Sequence, residues 1–362
     1  MLTKHPLKGM SLVALLVLSM SACTSGGTPK PTPTSTSTLS GAIAGAGASS
    51  QSAAMQAWIA TFAGAHPSAT VNYDPVGSGG GREQFIEGAV AFAATDAPLS
   101  TDEVKRLPDH CRDFIQLPGY ISPIAIAFNI EGVSELSLSP DSVAKLFAGE
   151  ITRWNDPQLL AENPGVPLPD LYVNPVHRSD GSGTTETFTE YLHDTAPDIW
   201  TTPPDKNWPD ILPGEAAQQT SGVVQTIAAG NGSIGYADAS QIGALPSVKI
   251  KVGDEFVPYS AQGAATLVEQ SPRIAQPASP FDYSLHLDRT VKGGYPIVLV
   301  AYQLACPTYS DGNDAKLVRT FLSHVFSEDG QAIAAVASGS APLSARMREQ
   351  ALKGIETIGP TE

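Results

Sequence analysis

The stretch HRSDGSGTTETF, residues 177–188, sets Arg178 and Asp180 beside a Gly-Ser-Gly turn that leads into a helical pattern. Two other stretches share the design, GAGASS at 45–50 and GSGGG at 77–81. In each, an extended segment meets a turn of glycine and serine and then a helix start. A helix N-terminus presents unpaired N–H groups at the positive end of its dipole, which suits an anion. Glycine lets the backbone approach closely, and serine or threonine adds a hydroxyl donor. Arg178 contributes a planar fork of donors for two oxygens of such an anion. One glycine-rich turn alone is most simply a connection, and a lone Arg178–Asp180 pair a surface salt bridge. Three turns with an arginine flanking one point to a bound anion. The candidates are a nucleotide, a reacting phosphoryl group, and a free anion held and then released.

Motifs narrow that choice. No stretch reads G-x-x-x-x-G-K-[ST], and no lysine follows any of the three turns. No G-x-G-x-x-G sits in a strand–turn–helix unit with a ribose-binding acid downstream, and no G-x-S-x-G nucleophile elbow occurs. The seven histidines (5, 66, 110, 177, 193, 286 and 324) form no HExxH or other ligand spacing, so no metal and no cofactor is expected. Nucleotide chemistry is excluded on these grounds. Phosphoryl-transfer chemistry would need an activated nucleophile or a metal-bound water. Ser182, the hydroxyl inside the turn, has only His177 near it in sequence.

The elements that must position these turns alternate along the chain. Ser50 to Phe62 carries Met55, Trp58, Ile59 and Phe62 at helical spacing, ended by Gly64 and Pro67. VNYDPV (71–76) reads as a strand, Glu83 to Gly88 as a short helix, and VAFAAT (90–95) as a strand. PIAIAFN (123–129) is an apolar run suited to a strand covered on both faces. Ser139-Pro140-Asp141 supplies an N-cap, a first-turn proline and an early acid for a helix ending at Ala148. LYVNPV (171–176), SIGYAD (233–238) and YPIVLVAYQL (295–304) add strands; Thr184–Tyr191 and Asn313–Phe326 add helices. Such alternation predicts an α/β fold of open sheets. Residues 197–220 and 255–290 are irregular and contain prolines, and periodicity does not resolve them.

The N-terminus reads as a targeting segment. Lys4 and Lys8 precede a short apolar run, Met10 to Leu18, and Ser21-Ala22-Cys23 follows. Residues 1–22 are expected to be a secretory signal. The placement of Cys23 resembles a bacterial lipobox, with Cys23 the lipidated residue and the membrane anchor. Residues 24–40 hold 15 Ser, Thr, Pro or Gly out of 17, a composition that buries no core. Together, 23–40 read as a tether, reaching roughly 50 Å at about 3 Å per residue. The signal holds two lysines and no acid, so its loss moves the net charge from −15 to −17. A body that acidic is a poor partner for nucleic acid, which needs clustered cations. A few local donors still suffice for a buried anion, because distant surface charge is screened. Cys111 and Cys306 remain, an even pair that suggests a disulfide in an oxidising compartment, with two free thiols as the alternative. About 320 residues remain to fold, more than one core usually supports, so two domains are expected.

GAGASS, GSGGG, TDAPLS (95–100), LSPDSVAKLFAGEITRWNDP (138–157), RSDGSGTT (178–185), GSIGYAD (232–238) and APL (341–343) come in a telling order. Together they resemble the phosphate-binding proteins of ABC transporters, which are type II periplasmic substrate-binding proteins. The likeness runs from about residue 41 to 350, and TDAPLS with RSDGSGT is its specific part. It implies a two-lobed Venus-flytrap fold, each lobe a mixed sheet flanked by helices, joined by a two-segment hinge. Lobe 1 would be 41–122 plus 295–362 and lobe 2 would be 123–294, with Cys111 and Cys306 both in lobe 1.

Carried over residue by residue, the resemblance implies phosphate contacts at Ser49, Ser50, Ser78, Asp96, Arg178, Ser182, Gly183 and Thr184. Asp180 is similar to the acid that braces the arginine. Ser50 stands where the family often has an aromatic; the implied contact there is through the backbone. Asp96 alone would read as a turn cap before Pro98. In this company its carboxylate, which only accepts hydrogen bonds, favours an anion that still carries a proton. Phosphate near neutrality has one and sulfate does not. The expectation is a monomeric, lipid-anchored receptor on the extracytoplasmic face of the cell membrane. It would bind inorganic phosphate and deliver it to ABC transporter permease subunits without catalysis. The alternatives are a phosphatase or phosphoryl-transfer enzyme on the same fold, and a receptor for another tetrahedral oxyanion.

Overall fold

The structure, a computed structural model, describes residues 39–361. The expected signal, Cys23 and nearly all of the tether lie outside the described residues. From there β1 (Gly41–Gly47), α1 (Ser52–Ala65), β2 (Ala69–Asp74), α2 (Ser78–Ile86) and β3 (Phe92–Thr95) follow in alternation. β1 pairs in parallel with β2 on one side and β3 on the other; α1 carries the chain from β1 to β2, and α2 carries it from β2 to β3. α1 buries Ala54, Met55, Trp58 and Phe62 along one face. Its Trp58 indole N–H donates to the Gly330 carbonyl oxygen at 2.7 Å, so a polar atom in the core is satisfied.

After α3 (Thr101–Lys105), which a Ser100–Glu103 capping box starts, comes β4 (Ile115–Asn129). All but the last of its 15 residues are buried. The apolar run 123–129 marks only the second half of this strand. The first half contains Pro118 and Gly119, which in sequence read as breakers. A bulge tolerates them: Ala301 pairs with Tyr120 and Tyr302 with Pro118, so Gly119 is skipped.

The chain continues through β5 (Leu136–Leu138), α4 (Pro140–Ala148), α5 (Pro157–Glu162), β6 (Asn174–Arg178) and α6 (Gly183–Thr195). Then follow β7 (Glu215–Ala217), α7 (Gln219–Ala229), β8 (Ser233–Asp238), β9 (Val248–Val252) and β10 (Glu255–Val257). α8 (Ala261–Gln270) and β11 (Phe281–Asp282) lie in the proline-containing region that shows no clear period. β12 (Val298–Ala305), α9 (Gly312–Val325), α10 (Glu328–Ser338) and α11 (Ala345–Ile355) complete the elements needed here.

The main sheet has the order β2-β1-β3-β12-β4-β8-β6-β7, with β11 against the start of β4. β4 changes partner along its length. Ile115–Pro123 pairs with β12, and Ile124–Asn129 pairs with β8. The sheet therefore curls through one shared strand, and the fold is two-lobed and mixed α/β. A small sheet, β10-β9-β5, flanks the second lobe. Parallel strands inside each lobe present their C-terminal ends, where the helix starts lie, towards the space between the lobes.

Cys111 and Cys306 form a disulfide with Cα atoms 4.6 Å apart. Cys306 directly follows β12, whose end pairs with the start of β4 at Ala305 and Ile115. Phe85, Leu107, Phe114 and Leu304 pack around the bridge in a satellite core.

Candidate functional site

Three helix starts converge where the lobes meet. α1 begins after Ser49-Ser50, α2 begins at Ser78, and α6 begins at Gly183 with Ser182 as its N-cap. α2 starts five residues before the Glu83 expected from sequence, because SGGG, poor in helix propensity, forms its first turn. Gly77 makes that start possible: its φ of 91° is a left-handed value, and a Cβ there would lie 2.4 Å from Asp180 Oδ2. The two glycine turns touch through backbone, with the Gly79 N–H donating to the Gly181 carbonyl oxygen at 2.8 Å.

Asp96, at the end of β3, is the centre of the arrangement. Ser50 Oγ donates to its Oδ1 at 2.7 Å and Thr184 Oγ1 to its Oδ2 at 2.8 Å. Its backbone N–H donates to Ser78 Oγ at 3.1 Å. Gly183 packs directly on it, since a Cβ there would lie 2.7 Å from both Asp96 Cβ and Ser78 Oγ. Ser182 Oγ accepts the Thr185 N–H at 3.2 Å. The N–H groups of Gly183 and Thr184, at the head of α6, have no intrahelical carbonyl to bond.

Arg178, at the end of β6, is 3% exposed. Its Nε donates to Asp180 Oδ1 at 2.7 Å, and its Nη2 to Asp180 Oδ2. Asp180 also accepts the Gln219 N–H at 2.9 Å, so the bracing acid is itself held. Ser49 Oγ lies 3.1 Å from Thr220 Oγ1, which the Arg178 Nη1 also reaches at 3.5 Å. All eight residues named from the sequence, with Asp180, thus lie in one connected cluster. Asp96, Ser50, Ser78, Ser182 and Thr184 are as buried as the arginine.

Burial raises both acids, yet their net shifts are opposite. For Asp96 it raises the carboxyl pKa above its ordinary value. The Ser50 and Thr184 hydroxyls and the Arg178 and Arg82 guanidiniums pull the other way without cancelling it. For Asp180 burial also raises, but the Arg178 hydrogen bonds and charge outweigh it and hold the carboxyl below the usual range. Each Asp96 oxygen accepts one protein hydroxyl and keeps a second lone pair for a further donor.

Sequence reasoning missed four residues here. Arg82, one helical turn beyond Ser78, is 1% exposed. It donates to Glu103 at 3.0 Å, Thr95 Oγ1 at 3.0 Å and Glu186 at 3.1 Å, joining α2, α3 and α6. Lys206 joins the same group through Glu103 at 3.0 Å. Gln241 Nε2 donates to the Ser49 and Ser50 carbonyl oxygens at 2.9 and 2.6 Å. Thr220 sits at the head of α7. Neither Gln241 nor Thr220 follows a glycine turn, so no local signal marks them. Among the described residues, no group of three His, Cys, Asp or Glu side chains could hold a metal ion. His177 donates from Nδ1 to the Arg178 carbonyl oxygen at 3.0 Å and stacks on Trp208 with ring centres 4.9 Å apart.

The profile of the PBP superfamily domain matches residues 32–329. Phosphate-binding protein PstS2 of Mycobacterium bovis (strain BCG / Pasteur 1173P2) is 31% identical over 281 residues, covering 75% of this chain and 76% of that protein. Phosphate-binding protein PstS 3 of Mycobacterium leprae is 31% identical over 291 residues, covering 75% of each. The fold is similar to that of a periplasmic phosphate-binding protein, PfluDING, solved with phosphate bound. The TM-score is 0.70 at 21% identity, over 85% of this chain and 92% of that one. A phosphate-binding protein from Stenotrophomonas maltophilia gives a TM-score of 0.67 at 22% identity, over 87% and 94%. The chain belongs to the PBP superfamily and, within it, to the PstS-like phosphate-binding proteins.

Proposed function

We propose that this protein is a receptor for inorganic phosphate, held in the cleft between its lobes by Ser49, Ser50, Ser78, Asp96, Arg178, Ser182, Gly183 and Thr184. The observation that carries the reading is the pairing of one braced, buried guanidinium with one buried carboxylate inside a ring of hydroxyls and helix starts. The names of the mycobacterial relatives support the choice of anion. Arg178 supplies positive charge, and the helix-start N–H groups satisfy further oxygens without full counter-charges. Asp96 accepts a proton carried by the guest. A fully ionised sulfate would face that carboxylate with a bare oxygen, at a cost of several kcal/mol in a dry cleft.

The receptor is a lipoprotein anchored through Cys23, tethered by residues 24–40, and it hands phosphate to an ABC transporter permease that reads the closed shape of the lobes. Lobe 1 comprises 41–122 and 295–362, and lobe 2 comprises 123–294. The change of partner along β4 between Pro123 and Ile124 supports the first crossing. β11 pairs with the lobe 1 end of β4, so the return is spread over the residues leading into β12. No reaction is part of the proposal: Ser182 Oγ is engaged as a helix cap, and His177 is committed to a carbonyl and to Trp208.

Calorimetric titration of phosphate-stripped protein tests the reading. Saturable heat with phosphate and none with a tenfold excess of sulfate is the expected result. Equal binding of both anions would favour a general oxyanion receptor. Sustained release of phosphate from a chromogenic ester, abolished in Ser182→Ala, would favour an enzyme.

A further inference from the structure

Gln219 is the one residue other than glycine with a positive φ, 59°, among the described residues. A side-chain-bearing residue is held there only when its surroundings require it. Here the requirement lies in the two N–H groups that the turn aims. The Gln219 N–H reaches Asp180 Oδ1 at 2.9 Å, and the Thr220 N–H reaches Ser49 Oγ at 3.3 Å. The head of α7 therefore ties the arginine's bracing acid to a hydroxyl on the opposite lobe.

We propose that Thr220 is a positioning residue of the anion site, whose hydroxyl fixes the direction in which Ser49 gives its proton. The inference rests on the phosphate-receptor reading. A guanidinium can only donate, so the contact at 3.5 Å runs from Arg178 Nη1 to Thr220 Oγ1. Either hydroxyl could donate in the 3.1 Å contact between Thr220 Oγ1 and Ser49 Oγ, and the proposal assigns the hydrogen to Thr220. Ser49 Oγ accepts the Thr220 N–H, and under this assignment the Thr220 O–H fills its second lone pair. Its own hydrogen is left to donate, and the acceptor in the cleft is the bound anion. The guanidinium polarises this chain of hydroxyls and strengthens its last donor. Without the Thr220 hydroxyl, Ser49 regains the freedom to turn its hydrogen away.

The test titrates inorganic phosphate into stripped wild type, Thr220→Val, Thr220→Ser, Ser49→Ala and the Ser49→Ala/Thr220→Val double variant, with melting curves alongside. Valine keeps the shape of threonine and loses the hydroxyl; serine restores it. The expected result is that Thr220→Val weakens binding about tenfold, the scale of one lost charge-assisted hydrogen bond. Thr220→Ser should bind within about twofold of wild type, and the double variant should bind no more weakly than Ser49→Ala. Wild-type affinity in Thr220→Val, or additive losses in the double variant, would overturn this proposal alone. If wild type itself takes up no phosphate, the receptor reading falls and this proposal with it.

Discussion

The Thr184 hydroxyl, at the head of α6 in one lobe, donates to Asp96 Oδ2 in the other across 2.8 Å. One carboxylate thus collects hydroxyls from both sides of the cleft, because Ser50 Oγ reaches its other oxygen at 2.7 Å. Replacing Asp96 with Asn turns part of that acceptor surface into a donor. Asp96→Asn is expected to narrow the preference for phosphate over sulfate by about tenfold or more, in line with the cost of a mismatched buried polar group. Ser78→Ala should weaken both anions together. Competition titrations of the two variants check this, and equal selectivity would show that the carboxylate is not the filter.

Gly183 offers a steric test of lobe closure. Its place for a Cβ is 2.7 Å from Asp96 Cβ and 3.0 Å from the Asp96 nitrogen, groups of the opposite lobe. Real Cβ atoms do not tolerate that approach, and Asp96 is fixed by three hydrogen bonds. Gly183→Ala should hold the lobes apart and weaken phosphate binding by about a hundredfold, roughly 3 kcal/mol. No side chain of the hydrophobic core is altered, so the melting temperature should shift by only a few degrees. Isothermal titration and calorimetric melting separate the two effects.

The disulfide closes a loop of 195 residues. A loop of that length removes roughly 5 kcal/mol of chain entropy from the unfolded state in the simplest model, an upper estimate. Cys111→Ser/Cys306→Ser is therefore expected to melt several degrees lower. Its phosphate affinity should be unchanged, since the bridge lies in a core apart from the helix starts. Thermal melts of the variant, and of wild type with and without reductant, measure this.

Asp238 gives the fold a pH signature. It is fully buried at the end of β8, where its oxygens accept from Tyr120 at 3.2 Å and from the Ser240 N–H at 2.9 Å. Burial pushes its carboxyl up to about 6, above the ordinary 3.8. A raised acid binds its proton more tightly in the folded state, so this group's contribution to stability falls as pH rises from about 4 to about 6. The difference amounts to 2–3 kcal/mol on the order-of-magnitude scale of 1.4 kcal/mol per pH unit. Asp238→Asn should lose that slope. Melting temperatures of wild type and variant between pH 4 and 7 decide it, and parallel curves would contradict the assignment.

Much of this architecture was legible in the chain because its elements obey local rules. The Ser139-Pro140-Asp141 start matches α4, whose N-cap Ser139 accepts the Ser142 N–H at 3.2 Å. The SIGYAD run coincides with β8. What local rules could not supply was tertiary. Pro118 and Gly119 hid half of β4 because only pairing with β12 makes the bulge. SGGG concealed the first turn of α2, since tertiary contact with Gly181 overrides its poor propensity. At the site, the glycine turns announced themselves through composition and RSDGSGT through its resemblance. Thr220, Gln241 and Arg82 gave no such sign, because their roles depend on partners 171, 192 and 104 residues away.

A crystal structure of the protein grown with phosphate tests the central claim most directly. The account predicts one phosphorus atom between the lobes, its oxygens within hydrogen-bond reach of Arg178, Ser49, Ser78, Ser182 and Thr184, with one protonated oxygen facing Asp96. Phosphate seated elsewhere, or a cleft ion that leaves Asp96 without a contact, would contradict it.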